Sequence, residues 1–191
     1  MQQKAATAEV SLAEEQAARR DASLRRIATL VAGGVTAAEL FATVAREVAV
    51  VLDVPVVTLD RYDLEDGSPV SVVLASREDA VFPVGSRWPL DGPSARALIY
   101  ETHRPVRVDD WADFESTVAN AGRRQGMRWV VGAPIIVDGS VWGNICAGTS
   151  GDEPIPEDAE SRLAEFTDLV STAIANSDAR EKNGRDRKSV V

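Results

Sequence analysis

The sequence predicts one α+β domain, with a central antiparallel sheet of five to six strands flanked by helices and long helices at both termini. The length of 191 residues is room for one ordinary domain. A hydrophobic fraction of 45% supplies a core, and 27% charged residues is typical of a soluble surface. The extended segments follow one another mainly through short polar turns, and strands joined by hairpins favour an antiparallel sheet.

Two predicted helices open the chain. No turn residue interrupts residues 9–32, and seven residues spaced alternately by three and four form a heptad seam. These residues are Val10, Ala13, Ala17, Arg20, Leu24, Ile27 and Val31. Such a narrow stripe suits a partner helix, and a helix lying on its own domain is the alternative. After two glycines, Thr36 and Glu39 predict a capping box that begins a second helix, which ends at Asp53.

Short strands and helices make up the middle of the chain. The predicted elements are strands at 54–62, 70–75, 86–90 and 105–108, and helices at 93–102 and 113–125. The first two strands are rich in β-branched residues and flank a polar turn, which predicts a hairpin. Pro93 suits the first position of its helix because proline needs no hydrogen-bond partner there.

A hairpin and a long helix end the chain. Residues 128–137 and 140–149 flank Asp138-Gly139, a dipeptide that suits a type I′ turn. Pro134 indicates an edge or a bulge in the first of these strands. A helix with acidic residues in its first turn begins at Pro156. The predicted organisation is an N-terminal linker or dimerisation helix at 1–34, the main domain at 35–180 including the last helix at 156–180, and a polar tail at 181–191.

Composition excludes several classes of protein. Asp and Glu number 30 against 21 Lys and Arg, and the resulting net charge of −9 argues against nucleic-acid binding, which favours clustered basic residues. A single cysteine precludes an internal disulfide. No apolar run reaches the roughly 18 to 20 residues that span a bilayer, and the N-terminus lacks the blocks of a signal peptide. We therefore expect a cytoplasmic protein with no membrane span.

Several short motifs, in a shared order, resemble a known family. They are GAPIIVDGSVWG at 132–143, FTDLV at 166–170, AIAN at 173–176, LRRIATLVA at 24–32, LDG at 90–92 and RPVRVDD at 104–110. Together they resemble a GAF domain, and more narrowly the GAF domains that precede the kinase core of bacterial sensor histidine kinases. The resemblance covers roughly residues 22–180.

The resemblance implies helices on one face of the sheet, a small-molecule pocket on the other, and a homodimer formed through the first and last helices. The expected dimer contacts are Leu24, Ile27, Val31, Leu163, Phe166 and Val170. Aromatic residues cluster in the region that walls the pocket of such domains, and Arg96 or Arg128 would orient an anion. The expected ligand-binding residues are Trp88, Arg96, Ile99, Trp111, Phe114, Met127 and Trp129. The alternative is that these rings simply fill the core.

The known chemistries of GAF domains find little support in the residues. Cys146 is the only thiol, so the pair needed to resolve a sulfenic acid is missing, and Cys146 and His103 are not sequence neighbours as bilin attachment commonly requires. His103, the sole candidate for a haem ligand, falls in a predicted exposed turn. No Asn-Lys dipeptide of the cyclic-nucleotide signature occurs. The acidic residues Asp109, Asp110 and Asp113 are interpreted as a solvated turn and helix cap, not as a metal site. The cofactor is unknown, and haem, bilin and cyclic nucleotide are not supported.

The expected function is sensory and not enzymatic, because no nucleophile and base pair stands out. The domain is expected to bind a small molecule and to relay the signal through its terminal helices to an output module in cis or in trans. A histidine kinase of a two-component system is the first expectation for that module. The alternative function is a ligand-free dimerisation and signal-relay spacer.

Overall fold

The computed structural model describes the backbone of residues 2–77, 81–109 and 114–188. The helices are α1 Gln2–Gly33, α2 Ala37–Leu52, α3 Ala95–Thr102, α4 Thr117–Arg124 and α5 Ala159–Lys188. The strands are β1 Val56–Glu65, β2 Ser68–Ser76, β3 Arg87–Pro89, β4 Val106–Val108, β5 Trp129–Val137 and β6 Ser140–Thr149. The strands form one sheet in the order β3-β2-β1-β6-β5-β4, and every neighbouring pair is antiparallel. The predicted α+β fold class is confirmed.

Helices α2 and α5 pack on one face of the sheet, and α1 packs against both of them on that side. The predicted capping box begins α2: the Thr36 hydroxyl accepts from the Glu39 N–H, and the Glu39 carboxylate accepts from the Thr36 N–H at 3.1 Å. Inward-facing residues of β1, such as Val57 and Leu59, meet buried helix residues such as Phe166 in one large core. Because side chains alternate along a strand, every second residue of β1 points away from this core.

Helices α3 and α4 lie on the opposite face, where a second and smaller core forms. It contains Val56, Phe82, Ile99, Met127 and other buried residues, with Cys146 of β6 beneath them. Two separate cores, one on each face, are expected of an antiparallel sheet covered on both sides. The second core is the one that surrounds the candidate site described below.

The β5–β6 hairpin confirms both predictions for its turn and its proline. Asp138 and Gly139 have φ values of 50° and 77°, the left-handed geometry of a type I′ turn. The short strand β4 pairs with β5 only at residues 130–132, so Pro134 has no partner strand on that side and sits locally at an edge. The register also shifts between Ile135 and Ile136, immediately after the proline.

Some predicted boundaries are corrected by the caps. Ser94, whose side chain accepts from the Ala97 N–H, is the N-cap of α3, so Pro93 precedes the helix and does not begin it. Ser116 caps α4 in the same way, and the helix therefore starts later than residue 113. The backbone of α5 begins at Ala159 and continues helically to Lys188, through most of the predicted polar tail. Residues such as Arg and Lys in that tail have good helix propensity.

Four of the six predicted dimer contacts belong to the core of the single chain. Ile27, Leu163, Phe166 and Val170 are at most 1% exposed, and Leu24 and Val31 pack partly buried against the same core. The four buried side chains have no surface to offer to a second chain, which corrects their assignment to an interface. A seam with heptad spacing indicates that one stripe of a helix is buried, but not which element buries it.

Candidate functional site

A small cavity lies between the sheet and the helices α3 and α4, on the face where the resemblance implies a pocket. We call it the sheet cavity; its lining residues are Val56, Thr58, Phe82, Ala95, Arg96, Val118, Met127, Val130, Cys146, Ala147 and Gly148. Its volume of about 20 Å³ is enough for roughly one water molecule. The side chains of this face therefore fill most of the space that a ligand would need.

A buried ion pair forms the polar wall of the sheet cavity. The Arg96 Nε donates to Asp60 Oδ2 at 2.6 Å, and its Nη2 donates to Thr58 Oγ1 at 3.2 Å. Asp60 is fully buried and Arg96 is 2% exposed. The guanidinium also stacks over the ring of Phe82, 4.2 Å from the centroid. The pair is thus held by strand β1, helix α3 and the segment before β3.

Local sequence positions both partners of this pair. The Ser94 cap fixes the start of α3, so that Arg96 in the first turn points down onto the sheet. The Tyr62 hydroxyl donates to the Arg96 carbonyl at 2.7 Å and ties the same turn to β1. Gly143 of β6 lies beside Asp60, where an added Cβ would come within 2.1 Å of the Asp60 backbone oxygen. Glycine at 143 therefore permits the close approach of β6 to this part of β1.

Burial governs the electrostatics of the sheet cavity. It raises the pKa of the Asp60 carboxyl, and the charge and hydrogen bond of Arg96 oppose that rise. Burial likewise raises the pKa of the Tyr62 phenol well above its usual value. For the Cys146 thiol it raises the pKa to about 12, which keeps the sulfur protonated near neutral pH. The thiol donates to Asn144 Oδ1 at 3.2 Å and is expected to be chemically inert.

Arg96 keeps one buried donor without a partner. Its Nη1 forms no hydrogen bond with any residue that the structure describes. Buried donors of this kind are normally satisfied by water or by a ligand, because an unpaired one destabilises the fold by about 1–3 kcal/mol. Because Arg96 lines the sheet cavity, this cavity favours the binding of a water molecule or of another small hydrogen-bond acceptor.

The structure brings together most of the predicted ligand-binding residues, but not all of them. Arg96 and Met127 line the sheet cavity, and Ile99 is fully buried in the same core. Trp88 and Phe114 pack partly buried against that core, with the Trp88 ring edge-on to Phe82 at 5.1 Å. These rings fill the core around the cavity, as the alternative interpretation expects. Trp111 lies outside the described residues.

Trp129 is on the other face of the sheet. It packs against the core formed with α1, α2 and α5, and its indole N–H donates to the Gly151 carbonyl at 3.1 Å. Arg128 is also remote from the cavity, since it pairs with Asp152 at 2.9 Å. Aromatic enrichment of a segment does not indicate on which face of the sheet each residue lies. Side chains alternate between the two faces along β5, so Val130, and not Trp129, lies at the cavity.

Sequence reasoning missed Asp60, Thr58 and Phe82 as members of the site. The signal was present for two of them, because Thr58 and Asp60 are polar residues two apart within a strand whose neighbours are apolar. Such spacing places both side chains on one face of the sheet. Nothing local in the sequence indicates that Phe82 lies over Arg96.

Potential metal ligands are not clustered in the described part of the chain. No group of three or more His, Cys, Asp or Glu side chains there could hold a metal ion. His103 ends α3 and is exposed, as the sequence predicts. Asp109 is exposed as well, whereas Asp110 and Asp113 lie outside the described residues. Within the same range, no helix is both long enough and apolar enough to cross a bilayer.

Comparison with known proteins identifies the family. The model of the GAF domain matches residues 36–174, which is well over half of the chain. The chain therefore belongs to the GAF domain family. None of the curated proteins compared with it matches its sequence.

Solved GAF domains share the fold. The GAF domain of a phosphoenolpyruvate-protein phosphotransferase from Coxiella burnetii has a TM-score of 0.70 at 17% identity, over 87% of this chain and 98% of that one. Its counterpart from Acinetobacter has a TM-score of 0.67 at 19% identity, over 85% and 97%. The phycocyanobilin-bound GAF domain of a cyanobacterial phytochrome has a TM-score of 0.68 at 23% identity, over 84% and 96%. At these identities the likeness establishes the fold alone.

The bilin of the phytochrome neighbour raises the question of whether this chain has room for one. Pockets for ligands of that size measure several hundred cubic ångströms, about 300–1,000 Å³. The sheet cavity measures about 20 Å³, and Cys146 on its wall is buried with its thiol donated to Asn144. In the conformation described, these residues do not fit a tetrapyrrole, and we derive no step through one.

Proposed function

We propose that this chain is a cytoplasmic, non-catalytic sensory domain that relays a signal through α1 and α5 to an output module, with a histidine kinase as the first candidate. The observation that carries the proposal is the placement of the two terminal helices. Helix α5 packs on one face of a GAF sheet, and α1 packs against α2 and α5 on that side, with Arg20 and Glu165 3.4 Å apart. A change of packing on that face would reach both helices.

Strand β4 offers a physical connection between the sheet cavity and α5. Val108 is buried in the core around the cavity, while Arg107 points the other way and clamps the start of α5. The Arg107 guanidinium donates to both Glu160 carboxylate oxygens at 2.7 and 2.6 Å and to the Ile155 and Pro156 carbonyls at 2.8 and 2.7 Å. A displacement of β4 by a ligand would therefore pull on the first turn of α5.

The ligand that we propose for the sheet cavity is compact and carries a hydrogen-bond acceptor. The acceptor would meet Arg96 Nη1, and the apolar remainder would contact Val118 and Met127. The Asp60–Arg96 pair is neutral overall, so the site does not demand a charged ligand. Anything much larger than a water molecule requires a side chain such as Phe82 or Met127 to move.

A ligand-free relay domain is the second candidate function. The small volume of the sheet cavity favours it, because the domain's own side chains occupy the space where a ligand is expected. In this alternative the fold transmits changes between α1 and α5 without sensing a compound. The two candidates share the helices and differ only in whether the cavity is used.

We further propose that the domain forms a homodimer along α1. The seam whose C-terminal part is buried at Ile27 continues toward the N-terminus through Val10, Ala13 and Ala17, all of which are exposed. An exposed helix that carries an apolar stripe and no tertiary support is marginally stable by itself. Pairing with α1 of a second chain would supply that support.

The experiment is a thermal-stabilisation screen of small polar compounds, combined with native mass spectrometry of the purified protein. A compound at a hundredfold excess over its dissociation constant adds about 2.7 kcal/mol to the stability of the folded state. Val118→Ile, which fills the sheet cavity, should abolish the ligand-induced rise in melting temperature. Val118→Ala, which enlarges the cavity, should preserve that rise. If no compound raises the melting temperature and none copurifies, the relay function replaces the sensory one.

The output module requires a separate test. Reading the gene's complete open reading frame shows which catalytic domain, if any, is encoded beside this chain. A kinase core supports the proposal. A different output domain would contradict the histidine kinase while leaving the sensory role intact.

A further inference from the structure

A second and much larger cavity lies on the helical face of the sheet. We call it the helix groove; its described lining residues are Leu30, Val31, Gly34, Val35, Ala37, Leu40, Phe41, Arg61, Leu74, Trp142, Ala173, Ile174, Asn176 and Ser177. Its volume of about 470 Å³ falls in the range of small-molecule sites, about 300–1,000 Å³. It is formed by the end of α1, the start of α2, the middle of α5 and three strands.

The floor of the helix groove is aromatic and aliphatic. The rings of Phe41 and Trp142 lie 5.9 Å apart at a tilt of 53°, and Trp142 is only partly buried. Leu40 and Leu74 extend this floor on either side. Such a surface favours a flat, apolar body, because aromatic pairs add about 0.5–1.5 kcal/mol beyond the area that they bury.

The described lining of the helix groove is basic, although the whole chain is acidic. The chain carries a net charge of −9, yet the described lining residues include Arg61 and no Asp or Glu. Arg61 has a side chain that is 46% exposed, and its single described ion pair, with Asp63, is long at 3.5 Å. Since a guanidinium has five N–H donors, most of them stay available to a ligand. Asn176 and Ser177 add polar groups at the rim.

We propose that the helix groove binds a small amphipathic anion, a molecule with an aromatic body and one carboxylate or sulfonate. The body would stack on Phe41 and Trp142, and the acidic group would accept hydrogen bonds from Arg61. This site is distinct from the sheet cavity, which lies on the opposite face of the sheet. The inference therefore does not depend on whether the sheet cavity holds a ligand.

Occupancy of the helix groove would act directly on the terminal helices. The groove wall includes Val31 of α1, Ala37 of α2 and Ala173 of α5. A ligand that prefers one packing of these helices shifts their equilibrium by its difference in affinity for the two arrangements. The site thus provides a shorter physical route to α1 and α5 than the sheet cavity does.

The test uses two fluorescent probes of similar shape and different charge. These are 8-anilinonaphthalene-1-sulfonate, which is anionic, and N-phenyl-1-naphthylamine, which is neutral. We expect the sulfonate to bind saturably at one molecule per chain. Arg61→Gln should weaken its affinity about tenfold, the loss of one charge-assisted hydrogen bond, and should leave the neutral probe within about twofold. Arg104→Gln, which removes an exposed arginine elsewhere, should change neither affinity.

Two further variants locate the probe. Ala173→Phe fills the helix groove and should abolish binding of the sulfonate, whereas Val118→Ile in the sheet cavity should not. Near-ultraviolet circular dichroism confirms that each variant keeps its native packing. Equal affinity of Arg61→Gln and wild type for the sulfonate, or binding that survives Ala173→Phe, would overturn the proposal. The proposal would also be overturned if the wild-type protein were a dimer that binds no probe and if Ala173→Phe dissociated that dimer. A second copy of the chain would then cover the groove.

Discussion

Asp60 and Arg96 show how a single pair of residues organises one face of the domain. Both are buried, and neither would be tolerated there as an isolated charge. Their contact joins β1 to α3, and Phe82 and Thr58 complete the surroundings of the guanidinium. The pair fixes the position of α3 and occupies space beside the sheet cavity, so it shapes the cavity as well as the fold.

Removal of Arg96 should therefore be strongly destabilising. Arg96→Met leaves the Asp60 carboxylate buried without its counter-ion, and we expect a loss of about 3–5 kcal/mol in the free energy of unfolding, measured by urea denaturation. The double variant Asp60→Leu/Arg96→Met should lose less than the sum of the two single variants. Arg104→Met, an exposed control, should stay within about 0.5 kcal/mol of wild type. A loss below about 1 kcal/mol for Arg96→Met would contradict the assigned ion pair.

At the scale of secondary-structure elements, side chains from outside a helix fix where it begins. The Asp91 carboxylate, in the segment before α3, accepts from both the N–H and the hydroxyl of Thr117 in the first turn of α4. Burial acts to raise the pKa of Asp91, but the hydrogen bonds from Thr117 outweigh it, and the net shift is downward. The ionised form is thus the one that anchors α4.

The sign of this shift sets a pH dependence. A carboxyl with a lowered pKa in the folded state adds stability that is fully present above its unfolded pKa, about 3.9, and is lost as the pH falls through the folded value. Asp91→Ala should lose about 0.5–1 kcal/mol at pH 7, and its deficit relative to wild type should shrink below about pH 4. The measurement is urea denaturation between pH 3 and pH 7. Asp91→Asn keeps an acceptor without a titratable charge, so its advantage over Asp91→Ala should not change with pH.

Arg107 links β4 to the start of α5, and its replacement should destabilise both elements. Arg107→Gln removes the hydrogen bonds to Glu160 and to two carbonyls, and we expect a loss of about 1–2 kcal/mol because the site is partly exposed. Hydrogen exchange followed by mass spectrometry should show faster exchange in β4 and in the first turn of α5. Arg104→Gln, three residues earlier on the surface, provides the control. Unchanged exchange in both elements would rule out the clamp.

At the scale of the whole molecule, α1 extends beyond the support that the domain gives it. Helix α1 has 32 residues and is about 48 Å long. Residues 10–19 of that helix are exposed, while Ser23 and Ile27 near its other end are fully buried. The buried part holds α1 against α2 and α5, and the exposed part is the surface on which the proposed dimer depends.

If the dimer forms along the seam of α1, charged substitutions on the seam should disrupt it and substitutions elsewhere on α1 should not. Val10→Glu/Ala17→Glu places two charges on the exposed seam and should convert dimers into monomers, as measured by multi-angle light scattering. Leu12→Glu replaces an equally exposed leucine that lies off the seam, and should leave the mass unchanged. A monomeric wild type, or a double variant with the mass of a dimer, would refute an interface along α1.

Patterns that depend on local geometry were predictable from the sequence. The capping box of α2 and the type I′ turn at Asp138-Gly139 follow from residues that are neighbours in the chain, and both are confirmed. The composition of the candidate site was predicted less well. Arg96, Ile99 and Met127 do lie at or around the sheet cavity, but Trp129 points to the other face and Asp60 was missed.

The sequence by itself determined the order of the elements and the antiparallel sheet, because periodicity, caps and turns are properties of short segments, and the resemblance of its short motifs indicated the family. Only the tertiary structure decided what covers each apolar stripe and how much space remains between the layers. Ile27 and Phe166 are buried by their own chain, the sheet cavity is nearly filled, and the larger cavity lies on the helical face. These outcomes depend on side chains that are far apart in sequence and pack against one another. The spacing of residues within a short segment does not indicate such contacts.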